Sequence, residues 1–432
     1  MKQMNRKVLV ALFLVTSFAI NAQRTNSSPY SFFGIGEEFS PITVEQSSMG
    51  SIGVAMSHYK YLNFTNPAAY ADLRYTTYAF GLLNNDLTIE SQGVKQNSTL
   101  TTFSYLAVGF PIGKKAGFSV GIQPVSSVGY SLSNSILDTD GNATEISLFS
   151  GNGGVNRVYG SFGIKVSKEL SLGIEGDFKF GNIENSITNV RANVTLATKN
   201  NENTVLRGGS VTFGAQYQKE LENKLLLNAG ATFKLGNNLR VTGTEQEYTL
   251  TFSATGAEIP RDDRDVVIIT GEYKLPLKSI LGAGIGKFDK WYVGLEYENQ
   301  NAIETAGFLN ATSTTYKYGN SSRFSLGGYF LPKINSISSY WQRVTYRAGL
   351  RVKKTGLLVN GLTTSANFNE INDFGISFGL GLPLKQLSSI NTAFEFGKRG
   401  TTNNNLIQEN YFNFRLSLSL TDINWFQQRK ID

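Results

Sequence analysis

From residue 73 to the C-terminus, apolar and polar side chains alternate over many separate runs. Near the C-terminus, one face of such a run carries Phe412, Phe414, Leu416, Leu418 and Leu420, and the other carries Asn413, Arg415, Ser417 and Ser419. Successive side chains of a β-strand point to opposite faces, so this period of two predicts strands with one apolar and one polar face. Fourteen runs are predicted, near 73–90, 99–112, 116–132, 155–167, 169–190, 205–220, 223–244, 264–288, 290–302, 321–333, 342–357, 371–384, 388–399 and 409–421.

The connectors between the runs alternate in length. Short turns, such as 113–117 and 288–290, take turns with long polar segments, such as 133–155 and 239–263. Short turns on one rim and long loops on the other are typical of outer-membrane barrels. The alternative is a soluble all-β protein with its charged face toward water, and the connectors favour the barrel. The predicted fold is therefore an all-β, transmembrane antiparallel β-barrel of about 14 strands.

The first 22 residues are predicted to be a secretory signal. Lys2, Arg6 and Lys7 precede an apolar stretch, 8–20, that is too short to span a bilayer, which disfavours the alternative of an N-terminal membrane anchor. The chain contains no Cys, which excludes a lipoprotein anchor and disulfides. Without these three basic residues the net charge falls from +7 to +4, which is too mild to indicate nucleic acid binding.

A stretch without sustained alternation, residues 23–72, lies between the signal and the first strand. It contains glycines at 34, 36, 50 and 53 together with many large apolar side chains. The wall side chains of a fourteen-stranded barrel do not fill its lumen, so we predict that this segment, the plug, occupies the lumen. An unfolded periplasmic tail is the alternative, and it would leave much apolar surface in water. The predicted organisation is signal 1–22, plug 23–72, barrel 73–421 and a periplasmic tail 422–432.

These features resemble the FadL-like long-chain fatty-acid transporters of the outer membrane. The plug ends in Asn66, Pro67 and Ala68 just before the first strand, and the stretch 272–298 carries a Leu-Pro run, a tight Asp-containing turn and an aromatic restart. The resemblance implies a barrel closed by an N-terminal hatch, with Asn66, Pro67 and Ala68 as its hinge. It also implies that hydrophobic molecules leave sideways into the membrane. The tail 422–432 and Gln23 after the signal resemble barrels of Bacteroidota, which are also parts of larger outer-membrane machines.

The same resemblance implies an inward kink in the third strand. Pro124 lies in the middle of the third run here, and proline cannot donate a hydrogen bond to a neighbouring strand. One interpretation is a lateral opening formed by Gln123, Pro124 and Val125. The other is a bulge that only adjusts the curvature of the wall.

Charged side chains on the polar faces of the strands are predicted to point into the lumen. They carry both signs, which favours ion pairs around a plug over an ion-selective pore: Glu175, Asp177, Lys179, Glu296, Glu298, Arg347, Arg351, Glu395 and Arg415. On the lipid face an Arg or Lys would cost roughly 2–4 kcal/mol near the midplane. His58 is the only histidine, so a zinc cluster built on histidines is excluded and a structural role is favoured over a catalytic triad. The glycines of 282–287 lie in a strand, not in a nucleotide-binding loop.

The sequence thus predicts a non-enzymatic protein of the Gram-negative outer membrane, with no cofactor and no metal. Its predicted function is passive transport of small hydrophobic molecules through a hatch-gated barrel with lateral exit. Its predicted partners are outer-membrane lipids and a hydrophobic ligand. The alternative is an accessory barrel subunit of a larger outer-membrane secretion or assembly complex, with other outer-membrane proteins as partners.

Overall fold

A computed structural model describes residues 26–263, 265–309, 315–361 and 367–422. The predicted signal and residues 423–432 of the predicted tail lie outside the described residues. The strands join into one antiparallel sheet that closes on itself, because the last strand pairs with the first strand of the wall. The predicted all-β barrel with an N-terminal segment in its lumen is confirmed.

The plug contains only short elements. They are a 3₁₀-helix at Pro29–Phe32, strand β1 (Glu37–Glu38), helix α1 (Val44–Ser47) and a second 3₁₀-helix at Pro67–Asp72. Helix α1 begins in a capping box, in which the Thr43 hydroxyl accepts from the Gln46 N–H and the Gln46 side chain accepts from the Thr43 N–H. The Val44 N–H donates to the Tyr105 hydroxyl at 3.2 Å, so this helix begins against the wall.

The wall is built in fourteen passes. The first six passes are single strands: β2 (Thr76–Ser91), β3 (Val94–Ile112), β4 (Ala116–Leu137), β5 (Ala143–Lys165), β6 (Leu170–Arg191) and β7 (Ala197–Glu220). The next four passes are interrupted: β8 (Leu226–Lys234) with β9 (Asn237–Phe252), β10 (Glu258–Asp263) with β11 (Val267–Leu275) and β12 (Lys278–Lys287), β13 (Trp291–Gln300) with β14 (Glu304–Gly307), and β15 (Tyr316–Tyr318) with β16 (Ser321–Phe330). The last four are β17 (Thr345–Asn360), β18 (Phe368–Pro383), β19 (Ser389–Gly400) and β20 (Gln408–Asp422).

The prediction of a long polar connector at 133–155 is wrong. Strand β4 continues to Leu137 and β5 begins at Ala143, and their ladder is continuous from the pair Ser133–Leu148 to the pair Ser126–Val155. Polar side chains on both faces hide the period of two there, because this part of the hairpin extends beyond the roughly 9–11 residues that a membrane strand needs. The predicted run 264–288 is also interrupted, at Pro276 between β11 and β12.

The outer face of the wall is apolar and the inner face carries the charges. On β6, Leu172, Ile174 and Phe178 are exposed, whereas the alternating Glu175 and Asp177 are buried. A protein surrounded by water has the opposite arrangement. The exposed apolar side chains therefore face lipid.

Wall glycines let the plug backbone approach the wall closely. A Cβ at Gly349 would lie 2.2 Å from the Gly50 nitrogen, and one at Gly327 would lie 2.1 Å from the Met49 carbonyl oxygen. Backbone atoms cannot rotate away as a flexible side chain can. Because Gly327 and Gly349 have no side chains, the plug backbone at Met49 and Gly50 packs directly on the neighbouring strands β16 and β17.

We expect Gly349→Val to displace the plug, because its side chain has no room against Gly50. The cost of such overpacking is about 1–3 kcal/mol. Thermal unfolding in detergent measures the loss of stability, and limited proteolysis within residues 26–72 measures the displacement. Gly176→Val is the matched control, since a Cβ at this exposed wall glycine meets nothing within 4 Å. Equal behaviour of the two variants would contradict the packing described here.

Candidate functional site

The wall is split between its second and third passes. Strands β3 and β4 pair only where residues 106–112 face residues 116–122, and the last pair is Leu106 with Ile122. Beyond it β3 remains paired with β2, and β4 remains paired with β5. In residues 94–137, all of which the structure describes, no other backbone hydrogen bond joins β3 to β4. We call the space between 94–105 of β3 and 123–137 of β4 the wall gap.

The three residues predicted at a lateral opening lie where the wall gap begins. Pro124 is opposite Asn156 of β5, and the next pair is Ser126 with Val155, so Val125 forms a bulge. The buried Gln123 side chain accepts two hydrogen bonds from Arg157, at 2.8 and 3.0 Å. Proline has no N–H to donate, and a bulge bends its strand. A bulge and a split in the wall therefore occur at the same place.

The plug covers the edge of β4 that faces the wall gap. Glu37 and Glu38 of β1 pair with Ser127 and Ser126, and the Phe39 N–H donates to the Val125 carbonyl at 2.7 Å. Two plug side chains continue this row. The Asn26 amide donates to the Ser127 carbonyl at 3.1 Å, and the Ser31 hydroxyl accepts from the Gly129 N–H at 3.1 Å. The plug thus replaces β3 as the partner of β4.

A cavity of about 230 Å³ lies between the plug, the lumen wall and both edges of the wall gap. Its apolar lining includes Phe39, Ile42, Leu100 and Phe103, and Phe103 belongs to β3. Charged side chains on other strands line it as well: Arg323, Arg351, Lys353, Asp373, Glu395, Arg399 and Arg415. The cavity is therefore amphipathic, with apolar residues at the gap and charges on the remaining wall.

A first charge cluster joins β5, β6 and β8. Arg157 pairs with Glu175 at 2.8 Å, while Asp177 pairs with Lys179 at 3.2 Å and with Lys234 at 2.7 Å. The side chains of Arg157, Glu175, Asp177 and Lys179 are almost completely buried. Buried charges need such partners, because leaving one alone costs several kcal/mol.

A second cluster ties the plug to β13. Arg323 donates to Glu296 and to Glu298, each at 2.8 Å, and Lys278 pairs with Glu298 at 2.5 Å. The other oxygen of Glu296 accepts from the Gly53 and Val54 N–H groups at 2.8 Å each. Glu296 therefore compensates a buried cation and also anchors two plug amides.

A third cluster lies on β17, β18, β19 and β20. Arg351 pairs with Asp373 at 2.8 Å and with Glu395 at 2.7 Å, and Arg415 pairs with the second oxygen of Glu395 at 2.7 Å. Arg347 has a different environment, since it donates to Asn391 at 3.1 Å and lies 5.8 Å from the ring centre of Tyr61.

A fourth cluster anchors β1. Arg399 contacts both Glu37 of the plug and Glu409 of β20 at 2.5 Å, and its guanidinium also donates to the Ser28 hydroxyl at 3.0 Å. The Arg399 charge and the Asn26 amide hold the pKa of Glu37 below its ordinary value, against the desolvation that raises it. Glu37 is therefore a carboxylate that fixes the plug beside the wall gap.

The predicted hinge residues are buried at the periplasmic end of the plug. The Asn66 side chain accepts from the Ala68 N–H at 3.0 Å and donates to the Val54 carbonyl at 2.7 Å and the Ala215 carbonyl at 3.1 Å. A Cβ at Gly173 would lie 2.3 Å from the Ala68 nitrogen, so the segment around Pro67 packs directly on β6. A hinge function of these residues stays a prediction.

The match with a family model covers residues 4–432, almost the whole chain, and the family is described as BamG. This chain belongs to the BamG family. No curated protein matches it in sequence.

Solved structures of similar fold include a FadL homologue, a toluene transporter and a hydrocarbon channel. A FadL homologue of Pseudomonas aeruginosa has a TM-score of 0.58 at 12% identity over 89% of this chain and 98% of the homologue. The toluene transporter TodX of Pseudomonas putida gives 0.57 at 14% identity over 90% and 99% of the two chains. CymD, a monoaromatic hydrocarbon channel, gives 0.54 at 14% over 88% and 97%. The predicted resemblance to FadL-like barrels is confirmed, and at these identities it shows the fold alone.

Sequence reasoning missed several charged residues of this BamG-family barrel. Arg157 and Arg323 lie on polar faces of their strands, so the alternation used for their partners would have found them. Arg399 and Glu409 lie in predicted runs on the same strand faces as Glu395 and Arg415, so the same alternation would have found them as well. Glu37 carries no such signal, because it lies in the irregular plug. Its contact with Arg399 depends on where the plug lies in the lumen.

A second, smaller cavity of about 80 Å³ lies at the periplasmic mouth of this BamG-family barrel. It is lined by plug residues that include His58, Tyr59, Lys60 and Tyr61, and by wall residues that include Asp289 and Arg347. The half-buried His58 accepts a hydrogen bond from the Lys60 N–H at 3.2 Å. Burial, followed by repulsion from Lys60 and Arg347, lowers the pKa of His58 well below its ordinary value of 6.5. This histidine is therefore neutral in the folded protein.

Within the described ranges, no cluster of His, Asp or Glu has the makings of a metal site. No helix of the described part of the chain is long and apolar enough to cross a membrane.

We expect Glu296→Ala to loosen the plug at Gly53 and Val54, because both amides lose their acceptor. An unsatisfied buried donor costs about 1–3 kcal/mol. Hydrogen exchange at these two amides should accelerate about tenfold or more, since tenfold corresponds to about 1.4 kcal/mol. Glu298→Ala is the matched control, because Glu298 also pairs with Arg323 but makes no hydrogen bond to the plug among the described residues. Equal exchange in the two variants would show that Glu296 does not anchor the plug.

We expect the single histidine signal in an NMR titration to remain that of neutral imidazole at pH 6.5. An unfolded chain protonates this group below about 6.5 while the folded protein does not, so its contribution makes the fold less stable as pH falls below that value. His58→Asn should remove this part of the pH dependence of thermal unfolding. A histidine that titrates near its ordinary pKa would contradict the burial described here.

Proposed function

We propose that this protein carries small hydrophobic molecules passively across the outer membrane of a Gram-negative bacterium, as predicted for a Bacteroidota member. The molecule enters the amphipathic cavity from the outside and leaves through the wall gap into the membrane. The observation that supports this route is that one cavity reaches both edges of the gap. The names of the channels of similar fold, a toluene transporter and a monoaromatic hydrocarbon channel, agree with such cargo.

The outer side of the gap is suited to lipid contact. Phe103, Leu106 and Val120 are exposed at 39%, 52% and 37% on the apolar face of the wall. A hydrophobic molecule that leaves the gap beside Phe103, next to the paired residues Leu106 and Val120, exchanges one apolar environment for another, so no charged side chain has to move. Passage of this kind needs no catalytic residue and no cofactor.

Gating in this proposal involves only the first part of the plug. Residues 43–72 are anchored away from the gap by Glu296, by Asn66 and by wall glycines. The contacts of β1 and the residues around it lie instead along the gap edge of β4 and at Arg399. Release of β1 would widen the gap without opening the periplasmic half of the lumen. The hatch would then move upstream of Asn66, Pro67 and Ala68, with the hinge between β1 and helix α1.

An accessory subunit of an outer-membrane complex is the second candidate. The observation that favours it is that buried polar contacts tie the plug to the wall, among them the Glu37–Arg399 ion pair and the hydrogen bonds from the Gly53 and Val54 N–H groups to Glu296. Affinity purification of the full chain from native membranes distinguishes the two functions. Isolation as a single protein with bound lipid supports transport, and co-purification in fixed stoichiometry with other outer-membrane proteins supports the accessory role.

We expect Pro124→Val to reduce uptake of radiolabelled toluene by vesicles several-fold. Valine supplies the N–H that proline lacks and favours a continuous strand, which narrows the gap. Pro111→Val is the matched control, because Pro111 lies in the paired part of β3 opposite Gly117. Both variants should assemble with unchanged heat-modifiability on gels. Unchanged uptake by the Pro124 variant would refute lateral exit at this position.

A further inference from the structure

We propose that the free edge of β3, residues 94–105, is a docking site for an extended segment of a partner polypeptide. The segment would add to the wall as a strand beside β3 and occupy the wall gap. This is an interaction surface in addition to the proposed transport.

The β3 edge is a long row of unpaired backbone groups. Residues 94–105 pair with β2 on one side, and in this fully described stretch no backbone group is bonded across the gap. Proteins protect such edges with charges, proline or a covering element. Residues 94–105 contain a single charged residue, Lys95, and no proline. This edge is therefore open to pairing by another extended chain.

The facing edge of β4 shows how the gap accepts a strand. Strand β1 pairs there with Ser126 and Ser127, and the Asn26 and Ser31 side chains bond to the residues around it. The protein's own plug thus satisfies one edge of the gap by strand addition. It leaves the other edge, on β3, without an equivalent partner in the described chain.

A cavity separates the β3 edge from the plug. The cavity is bounded by Leu100, Thr102 and Ser104 of β3 on one side and by the segment 37–42 of the plug on the other. Strands in a sheet lie about 4.8 Å apart and rise about 3.3 Å per residue, so the β3 edge spans about 40 Å and accepts about eleven or twelve residues.

A polypeptide fits this edge better than a lipid or a second barrel. Acyl chains have no hydrogen-bonding groups, so they would leave the β3 amides and carbonyls unsatisfied. A second copy would bring its own β2 and the wall behind it, which the space between β3 and the plug does not admit. Only a single extended backbone repeats donors and acceptors at the spacing of the β3 edge.

The side chains of β3 suggest the pattern of the docked segment. Leu100, Thr102 and Ser104 line the cavity, whereas Thr99 and Thr101 are exposed on the other face. A segment with small or apolar residues toward the cavity and uncharged polar residues toward the outside would match both faces. The partner is therefore an alternating β-strand, not a charged peptide.

The test uses a synthetic peptide that copies residues 82–91 of β2, because this sequence already pairs antiparallel with β3 from its other side. Asn and Gln replace the acidic Asp86 and Glu90 in the peptide, so that it is uncharged. Two further peptides carry backbone N-methyl groups on alternate residues, each set blocking one edge of the strand. The chain has no Cys, so Thr99→Cys accepts one fluorescent label beside the docking edge. Val205→Cys on β7 is the matched control, since Val205 is also exposed but its strand is paired on both sides, with Asn182 of β6 and with Thr242 of β9.

In the purified full-length barrel, we expect the unmodified peptide to change the fluorescence of the label at position 99. The fluorescence of the label at position 205 should stay the same. One N-methylated peptide should bind within about twofold of the parent, and the other should bind at least about tenfold more weakly. No binding of the parent peptide would overturn the proposal. Equal binding of both N-methylated peptides would also overturn it, because it would indicate side-chain contacts alone.

The remaining occupants give separate outcomes. A disulfide dimer of the Thr99→Cys barrel in native membranes would assign the edge to a second copy and overturn the proposal. Toluene uptake is also measured with saturating peptide. If the peptide binds and uptake is unchanged, the docking site is supported and exit of toluene through the gap is contradicted. The two proposals can therefore fail independently of each other.

Discussion

The structure depends on one constraint, the need to pair every backbone N–H and C=O group of a strand in lipid. Closure of the sheet through β20 and β2 satisfies this need around almost the whole wall. Between β3 and β4 the ladder ends at Leu106 and Ile122. Any function of the wall gap depends on the edges of β3 and β4, which do not pair with each other there.

The plug pairs with one of these two strand edges, and its contacts with the wall hold it in the lumen. Its strand β1 covers β4, and it is held by the ion pair of Glu37 with Arg399 and by the Gly53 and Val54 N–H groups on Glu296, whose charge is paired with Arg323. Buried ion pairs contribute little net stability compared with apolar packing, but breaking one is costly. They therefore specify where the plug lies.

Two uses of the wall gap follow from its two sides. The apolar side chains beside it suit the passage of a hydrophobic molecule, whereas the unpaired backbone of residues 94–105 suits an extended polypeptide. The two uses compete for the same space, so a docked strand would also close the lateral route. Membership of the BamG family is compatible with either, and the experiments on Pro124 and on the β3 edge separate them.

The sequence by itself determined the barrel, the number of passes and the inward face of Glu175 and Glu296, because a period of two is a local property of a strand. It also marked Pro124, because the missing N–H is a property of the residue. Only the tertiary structure decided that Glu37 meets Arg399 and that the plug covers β4 while β3 stays open. These contacts join an irregular segment to distant strands, and no local pattern encodes where such a segment comes to lie.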